Sequence, residues 1–175
     1  EGPSGVLHDT DGQPLANVAV IHLAPGEQVY LPRQGQLRGH QLAENSETRT
    51  DSQGRFKFPP KYGPSEIIVA TDAGYARVPA GQLRDNAAVR LQNWAKVTGR
   101  LVKNGKPIAG ESVELQSGGS FSPERPHLNY QVTKSDEDGH FTFERVTPGE
   151  MGIATRLVVD VGGGTIPGTD QAPLV

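Results

Sequence analysis

Two stretches of this chain alternate apolar and polar residues directly after a cluster of turn formers. Asp51-Ser52-Gln53-Gly54 leads into Arg55-Phe56-Lys57-Phe58, and Asp136-Glu137-Asp138-Gly139 leads into His140-Phe141-Thr142-Phe143. In each, the acidic residue bends the chain by bonding its own backbone, and Gly takes the positive φ that closes a hairpin-type turn. The two Phe stand two residues apart, so they face one side of a strand while their polar neighbours face the other. Each Phe pair is expected to anchor a core, and the repetition predicts two related β-modules in tandem.

The pattern around the first copy is strand-like. Gly5-Val6-Leu7-His8 is extended and meets a turn at Asp9-Thr10-Asp11-Gly12-Gln13-Pro14. A strand rich in β-branched residues follows over 15–23, with Val18, Val20 and His22 on one face and Ala19, Ile21 and Leu23 on the other. Both faces are apolar enough for a covered inner strand, and the pattern leaves the inward face undecided. Residues 24–47 are polar with little periodicity beyond Val29-Tyr30-Leu31, which predicts a long loop of the kind that carries function or moves. Further strands are expected at 65–70, 76–78 and 88–92, separated by Pro59-Pro60, Tyr62-Gly63-Pro64 and Asp72-Ala73-Gly74-Tyr75.

Trp94 to Leu101 opens the second half with almost no linker, which places Trp94 buried near the junction. Gly105-Lys106-Pro107-Ile108-Ala109 then echoes Gly12-Gln13-Pro14-Leu15-Ala16. The spacing from Gly12 to Gly54 is 42 residues and from Gly105 to Gly139 it is 34. The difference is assigned to the loop at 24–47 against its counterpart at 117–128, because length changes belong in loops. Strands are expected at 111–115, 130–133 and 151–161, with a turn at 146–150. Gly162-Gly163-Gly164 and Thr165-Ile166-Pro167-Gly168 then predict a break in regular structure. The expected division is 1–93, 94–161 and a Gly/Pro-rich segment 162–175, with the second module cut short of its closing strand and its sheet edge open.

Composition agrees with a turn-rich β-protein. Gly and Pro make up about a fifth of the 175 residues, short of the roughly 25–30% of low-complexity chains. The net charge of −3 is spread evenly, with 9 basic and 10 acidic residues in 1–92 and 8 and 10 in 93–175. The absence of any basic stripe speaks against a nucleic-acid partner. No apolar run approaches the roughly 18 residues of a membrane span. Without Cys there are no disulfides, no thiol catalysis and no Cys-ligated zinc.

Candidate chemistry is sparse. His8, His22, His40, His127 and His140 lack the paired spacing of a zinc helix and read as ordinary surface or strand histidines. Asp9-x-Asp11-Gly12 and Asp136-x-Asp138-Gly139 start like a calcium loop, but neither has the later ligands and the closing Glu, so both read as turns. Gly110-Glu111-Ser112-Val113-Glu114 lacks the final Gly of a nucleophile elbow. Gly162-Gly163-Gly164-Thr165 has no following Lys-Ser pair and reads as a linker, not a phosphate loop.

Both copies of the Gly-x-Pro-apolar-Ala and Asp-x-x-Gly-x-Phe-x-Phe combination resemble the carboxypeptidase regulatory-like domain family. Gly12, Pro14, Gly54, Phe56, Phe58, Gly74 and Tyr75 carry the resemblance over about 4–92. Gly105, Pro107, Gly139, Phe141, Phe143, Pro148 and Gly149 carry it over about 95–160. The resemblance implies an all-β fold of two tandem antiparallel sandwiches, Ig-like and prealbumin-like. It also implies a non-catalytic accessory role in a larger extracytoplasmic protein with adjoining domains. The tail that marks transthyretin-like hydrolases and the closely spaced His of intradiol dioxygenases are both missing. No catalytic, cofactor-binding or metal residue is therefore assigned, no cofactor is expected, and ligand-binding residues stay unassigned. A second reading is carbohydrate or peptide binding on the loops 24–47 and 117–128, with Tyr30, Tyr62, Phe121 and Tyr130 as aromatic candidates. Each of these rings is expected to pack against its own module.

Overall fold

The structure is a computed structural model describing residues 1–25, 27–30, 38–40, 42–117, 130–147, 151–160 and 165–173. Its described chain is all-β apart from one 3-10 turn at Ala80–Gln82. It falls into two compact units, Glu1–Trp94 and the described residues from Ala95 onward.

The first unit contains β1 (Ser4–His8), β2 (Ala19–Leu23), β3 (Gln28–Tyr30), β4 (Arg38–His40), β5 (Glu47–Arg49), β6 (Arg55–Lys57), β7 (Glu66–Ala70), β8 (Tyr75–Pro79) and β9 (Ala87–Arg90). Two sheets, β6-β1-β9 and β5-β2-β7-β8, enclose the core. Leu7, Phe56, Phe58 and Val89 meet Val20, Ile67, Val69 and Ala76 there. Phe56 and Phe58 are both buried, in an edge-to-face pair. The ladders are antiparallel except β1–β9, which is parallel because the chain crosses over through the 3-10 turn before β9.

The undecided strand β2 is buried on both faces. Val20 joins the inter-sheet core, while Ile21 and Leu23 form a second cluster with Val29, Ile68 and Leu42. The segment 24–47, expected as a loop, thus contains the β3–β4 hairpin and the start of β5, and its Val29 covers the outer face of the β5-β2-β7-β8 sheet. Strands of three residues are too short to show alternation, which is why the pattern did not reveal them.

The second unit contains β10 (Ala95–Arg100), β11 (Val102–Lys103), β12 (Lys106–Pro107), β13 (Ser112–Ser117), β14 (Tyr130–Lys134), β15 (His140–Val146), β16 (Met151–Asp160) and β17 (Thr165–Pro173). Its large sheet runs β14-β13-β16-β17 and faces the β10–β15 ladder across Val113, Leu115, Phe141, Phe143 and Val146. The segment expected to break regular structure is corrected here. Thr165–Pro173 pairs antiparallel with β16 from Gly152↔Pro173 to Asp160↔Thr165. An edge strand has one row of N–H groups outside its ladder. Pro167 and Pro173, six residues apart, share one parity and can both occupy that row without losing a bond.

The backbone bonds around the two Gly turns match between units. The Leu7 amide donates to Gly54 O at 2.8 Å, and the Leu101 amide to Gly139 O at 2.7 Å. The Leu15 amide donates to Leu7 O at 2.9 Å, and the Ile108 amide to Leu101 O at 3.0 Å. Gly54 and Gly139 have φ of 76° and 80°. A Cβ on either would press on Leu7 O or Leu101 O, so Gly is required by both conformation and space.

Candidate functional site

A buried charged cluster lies in the first unit, in the region that sequence patterning read as loop and breaker. Glu27 sits just before β3 and Lys61 in the turn between β6 and β7, and both side chains are largely buried. Lys61 Nζ donates to Glu27 Oε2 at 2.8 Å and Oε1 at 3.0 Å, to Ser46 Oγ at 2.7 Å and to the His22 carbonyl at 2.8 Å. Glu27 also accepts from the Ala24 amide at 2.6 Å, the Ala43 amide at 2.8 Å and the Ser46 hydroxyl at 3.0 Å. One ion pair therefore gathers β2, the two ends of the β3–β4 segment and the β6–β7 turn.

Burial pushes the Glu27 carboxyl up, but the Lys61 ammonium, the Ala24 and Ala43 amides and the Ser46 hydroxyl outweigh it and hold the group below the usual carboxylate range. A carboxylate so fully bonded is a weak base with no proton to give. His22 lies beside it with 0% of its surface exposed. Its Nε2 meets Ser65 Oγ at 2.9 Å, its ring packs on Phe58 at 5.3 Å, and its Nδ1 is buried without a hydrogen-bond partner. Burial, then the nearby Lys61 charge, lower its pKa to about 4 against the opposing pull of Glu27. The imidazole is neutral at pH 7. His22, Lys61 and Ser65, with Ser4, Arg84 and Asp85, are among the residues that line a cavity of about 420 Å3.

The sequence candidates are dispersed. Asp9 Oδ1 accepts from the Asp11 and Gln13 amides, and Asp136 Oδ1 from the Asp138 and His140 amides, so the calcium-like starts are side-chain-bonded turns. Asp51 makes the same pair of bonds to Gln53 and Arg55. Among the described residues no three His, Asp or Glu gather as metal ligands. His8 is half-buried in β1 and His140 is exposed beside Asp136. His40 lies in β4 with its side chain outside the described set, and His127 lies outside the described residues. Tyr62 corrects the expectation of packed rings, because it is 101% exposed. Its neighbour Lys61 points inward to Glu27, which turns the Tyr62 ring out into solvent. Tyr30 and Tyr130 are strand residues whose rings lie outside the described set, and Phe121 with most of 117–128 lies outside the described residues. So do Pro148, Gly149 and Gly162 to Gly164. Trp94 is half-buried, stacks near Tyr75 at 5.1 Å and donates its Nε1–H to Thr71 O at 2.9 Å.

Sequence reasoning passed over Glu27 and Lys61. The one available signal was weak: Lys61 directly follows Pro59-Pro60, and Glu27 stands two residues before Val29. Nothing in the spacing of 34 residues tells that the two meet.

No family model matches the chain, and no curated protein matches it. Among solved structures it is similar to a streptococcal ancillary pilin, at 14% identity over 98% of this chain and 58% of that one, with a TM-score of 0.44. It is also similar to a double mutant of the shaft pilin SpaA from Lactobacillus rhamnosus GG, at 10% identity over 99% of this chain and 93% of that one, with a TM-score of 0.27. The chain spans little more than half the length of the ancillary pilin. Neither likeness bears on what this chain binds or does. No helix among the described residues is long and apolar enough to cross a membrane.

Proposed function

We propose that the chain is a non-catalytic structural module, two tandem carboxypeptidase regulatory-like sandwiches serving as a spacer or ligand-presenting segment of a larger extracytoplasmic protein. The observation that carries this reading is how the Glu27–Lys61 cluster is used. Both carboxylate oxygens and the ammonium bond to three other segments of the same unit, so the buried charge fastens the chain to itself. The matching bonds around Gly54 and Gly139 support the tandem assignment.

The test replaces the cluster by an apolar pair, Glu27→Leu with Lys61→Met. A fastener tolerates this exchange, since a buried ion pair is often replaceable by well-packed apolar residues. The double variant should keep the wild-type amide spectrum and whatever binding the parent protein shows. A folded double variant that has lost a binding or turnover activity of the wild type would overturn the structural reading.

Carbohydrate or peptide binding is the second reading, and the exposed Tyr62 ring favours it, because a solvent-facing aromatic is a stacking surface. A glycan array and a peptide pulldown comparing wild type with Tyr62→Ala decide it: binding lost in the variant supports the reading, and no binding by either protein rejects it.

A further inference from the structure

Among the described residues four that are not glycine have positive φ, and all four are exposed asparagines: Asn17 at 57°, Asn45 at 62°, Asn86 at 59° and Asn104 at 53°. Asn reaches this left-handed region because its short polar side chain bonds locally. In three of the four the amide that follows is held. The Val18 amide donates to Thr50 Oγ1 at 2.9 Å, the Ser46 amide to Ala43 O at 3.2 Å and the Ala87 amide to Arg84 O at 2.8 Å. The Gly105 amide, which follows Asn104, has no acceptor among the described residues.

Asn104 and Gly105 form the two-residue loop between β11 and β12. Their φ of 53° and 76° make it the type I′ hairpin turn that the Asn-Gly pair favours. Only Val102↔Pro107 and Lys103↔Lys106 are paired across it, and residues 102–107 are all exposed. A ladder so short and uncovered opens locally at little cost. Nothing stands within 4 Å of the place a Cβ on Gly105 would take, so the nitrogen beside it is uncrowded.

The two Asp-Gly pairs, whose carboxyls could meet the next amide in the same way, are closed by contrast. The Gly12 amide donates to Asp9 O at 3.3 Å and the Gly139 amide to Asp136 O at 3.0 Å. The exposure at 102–107 does not depend on what lies beside β10. In the first unit the loop at the same place, 9–13, keeps Asp11 and Gln13 exposed although β9 is paired with β1.

We propose that Asn104 is a site of spontaneous covalent modification, in which the Gly105 amide displaces ammonia from the Asn104 side chain and water converts the product to a mixture of isoaspartate and aspartate. In an open conformer of the turn the Gly105 amide gives its proton to water or hydroxide, and its nitrogen bonds to the Asn104 Cγ. The Cγ–Nδ2 bond then breaks, and the departing group takes a proton and leaves as ammonia. Water opens the resulting cyclic imide. Cleavage at Cγ leaves aspartate at position 104, and cleavage at the main-chain carbonyl leaves isoaspartate, whose main chain runs through Cβ and Cγ. Overall a water is consumed, an ammonia is released and a neutral amide becomes a carboxylate between Lys103 and Lys106. Isoaspartate adds a methylene to a two-residue loop, which no longer holds Val102 opposite Pro107. The site is independent of the structural role proposed above.

The test incubates the whole folded chain at mildly alkaline pH beside a synthetic peptide of residues 101–108. Mass spectrometry of proteolytic fragments follows each Asn, and released ammonia is measured in parallel. Asn104 should convert ahead of Asn17, Asn45 and Asn86, giving both isoaspartate and aspartate. Two variants, checked by circular dichroism to be folded, separate the chemistry from the fold. Gly105→Ala shields the attacking nitrogen with a Cβ, and Asn104→Gln requires a larger ring, so each should lower ammonia release several-fold. An Asn104 that stays intact in the folded chain over the time in which the peptide converts would overturn the proposal, because the turn would then protect it. Conversion of Asn17, Asn45 or Asn86 as fast as Asn104 would also overturn it, since a held amide would then offer no protection. Unchanged ammonia release in both variants would show that Gly105 is not the attacking group.

Discussion

Lys61 is the residue on which the first unit depends most directly. Replacing it with Met leaves the Glu27 carboxylate buried with no counter-charge, and breaking one side of a buried pair costs about 3–5 kcal/mol. The double exchange with Glu27→Leu should recover most of that loss. Guanidinium unfolding followed by Trp94 fluorescence measures both, because Trp94 is the single Trp and packs within the first unit. His22 sets the acid response. Its folded pKa of about 4 lies below the ordinary 6.5, so the folded state takes up a proton less readily than the unfolded chain. Stability is therefore full above about pH 6.5 and falls as pH drops toward 4, by roughly 3 kcal/mol in total. Glu27, also held low, adds its stabilisation above the ordinary carboxylate range and loses it as pH falls through its depressed folded value. Urea midpoints between pH 7 and 4 should show the His22 slope, and His22→Gln should flatten it. An unchanged slope in that variant would assign the acid response elsewhere.

At the scale of the elements, the turn before each Phe strand is the most constrained part. Gly54→Ala puts a Cβ 2.7 Å from Leu7 O at φ 76°, and Gly139→Ala puts one 2.5 Å from Leu101 O at φ 80°. Strain and crowding of this kind cost about 1–3 kcal/mol each. Phe143→Ala, which empties a buried site between the β10–β15 ladder and β13, should cost about 3–5 kcal/mol. Thermal melts by circular dichroism would measure all three. These turns and Phe pairs were legible in the sequence because their information is local: one Asp, one Gly and a two-residue period suffice. The hairpin β3–β4 was not legible. Its strands have three residues each, and what stabilises it is Val29 reaching Ile21, Leu23 and Ile68 on another sheet.

For the whole molecule, the two compact units predict two separable losses of structure. Gly54→Ala should lower the unfolding midpoint seen by Trp94, and Gly139→Ala should leave it in place while lowering the midpoint of amides in β10 and β15. Coincident shifts in both variants would show that the units unfold as one. The repeated Gly-x-Pro and Asp-x-x-Gly-x-Phe-x-Phe landmarks could be read before any coordinates, and one set falls in each compact unit. The segment after 161, expected to lie outside regular structure, instead supplies an edge strand, Thr165–Pro173, paired with β16.

By itself the sequence determined the all-β class, the repeat, the turns and the residues that anchor each core. Those properties follow from alternation and from the conformations open to Gly, Asp and Pro, which act over a few residues. Only the tertiary structure decided that β2 is covered on both faces, that Glu27 and Lys61 meet across 34 residues, and that Tyr62 faces solvent. Each of these depends on which distant segments lie side by side. Electrostatic pairing and the packing of distant strands act through space, and spacing along the chain does not encode them.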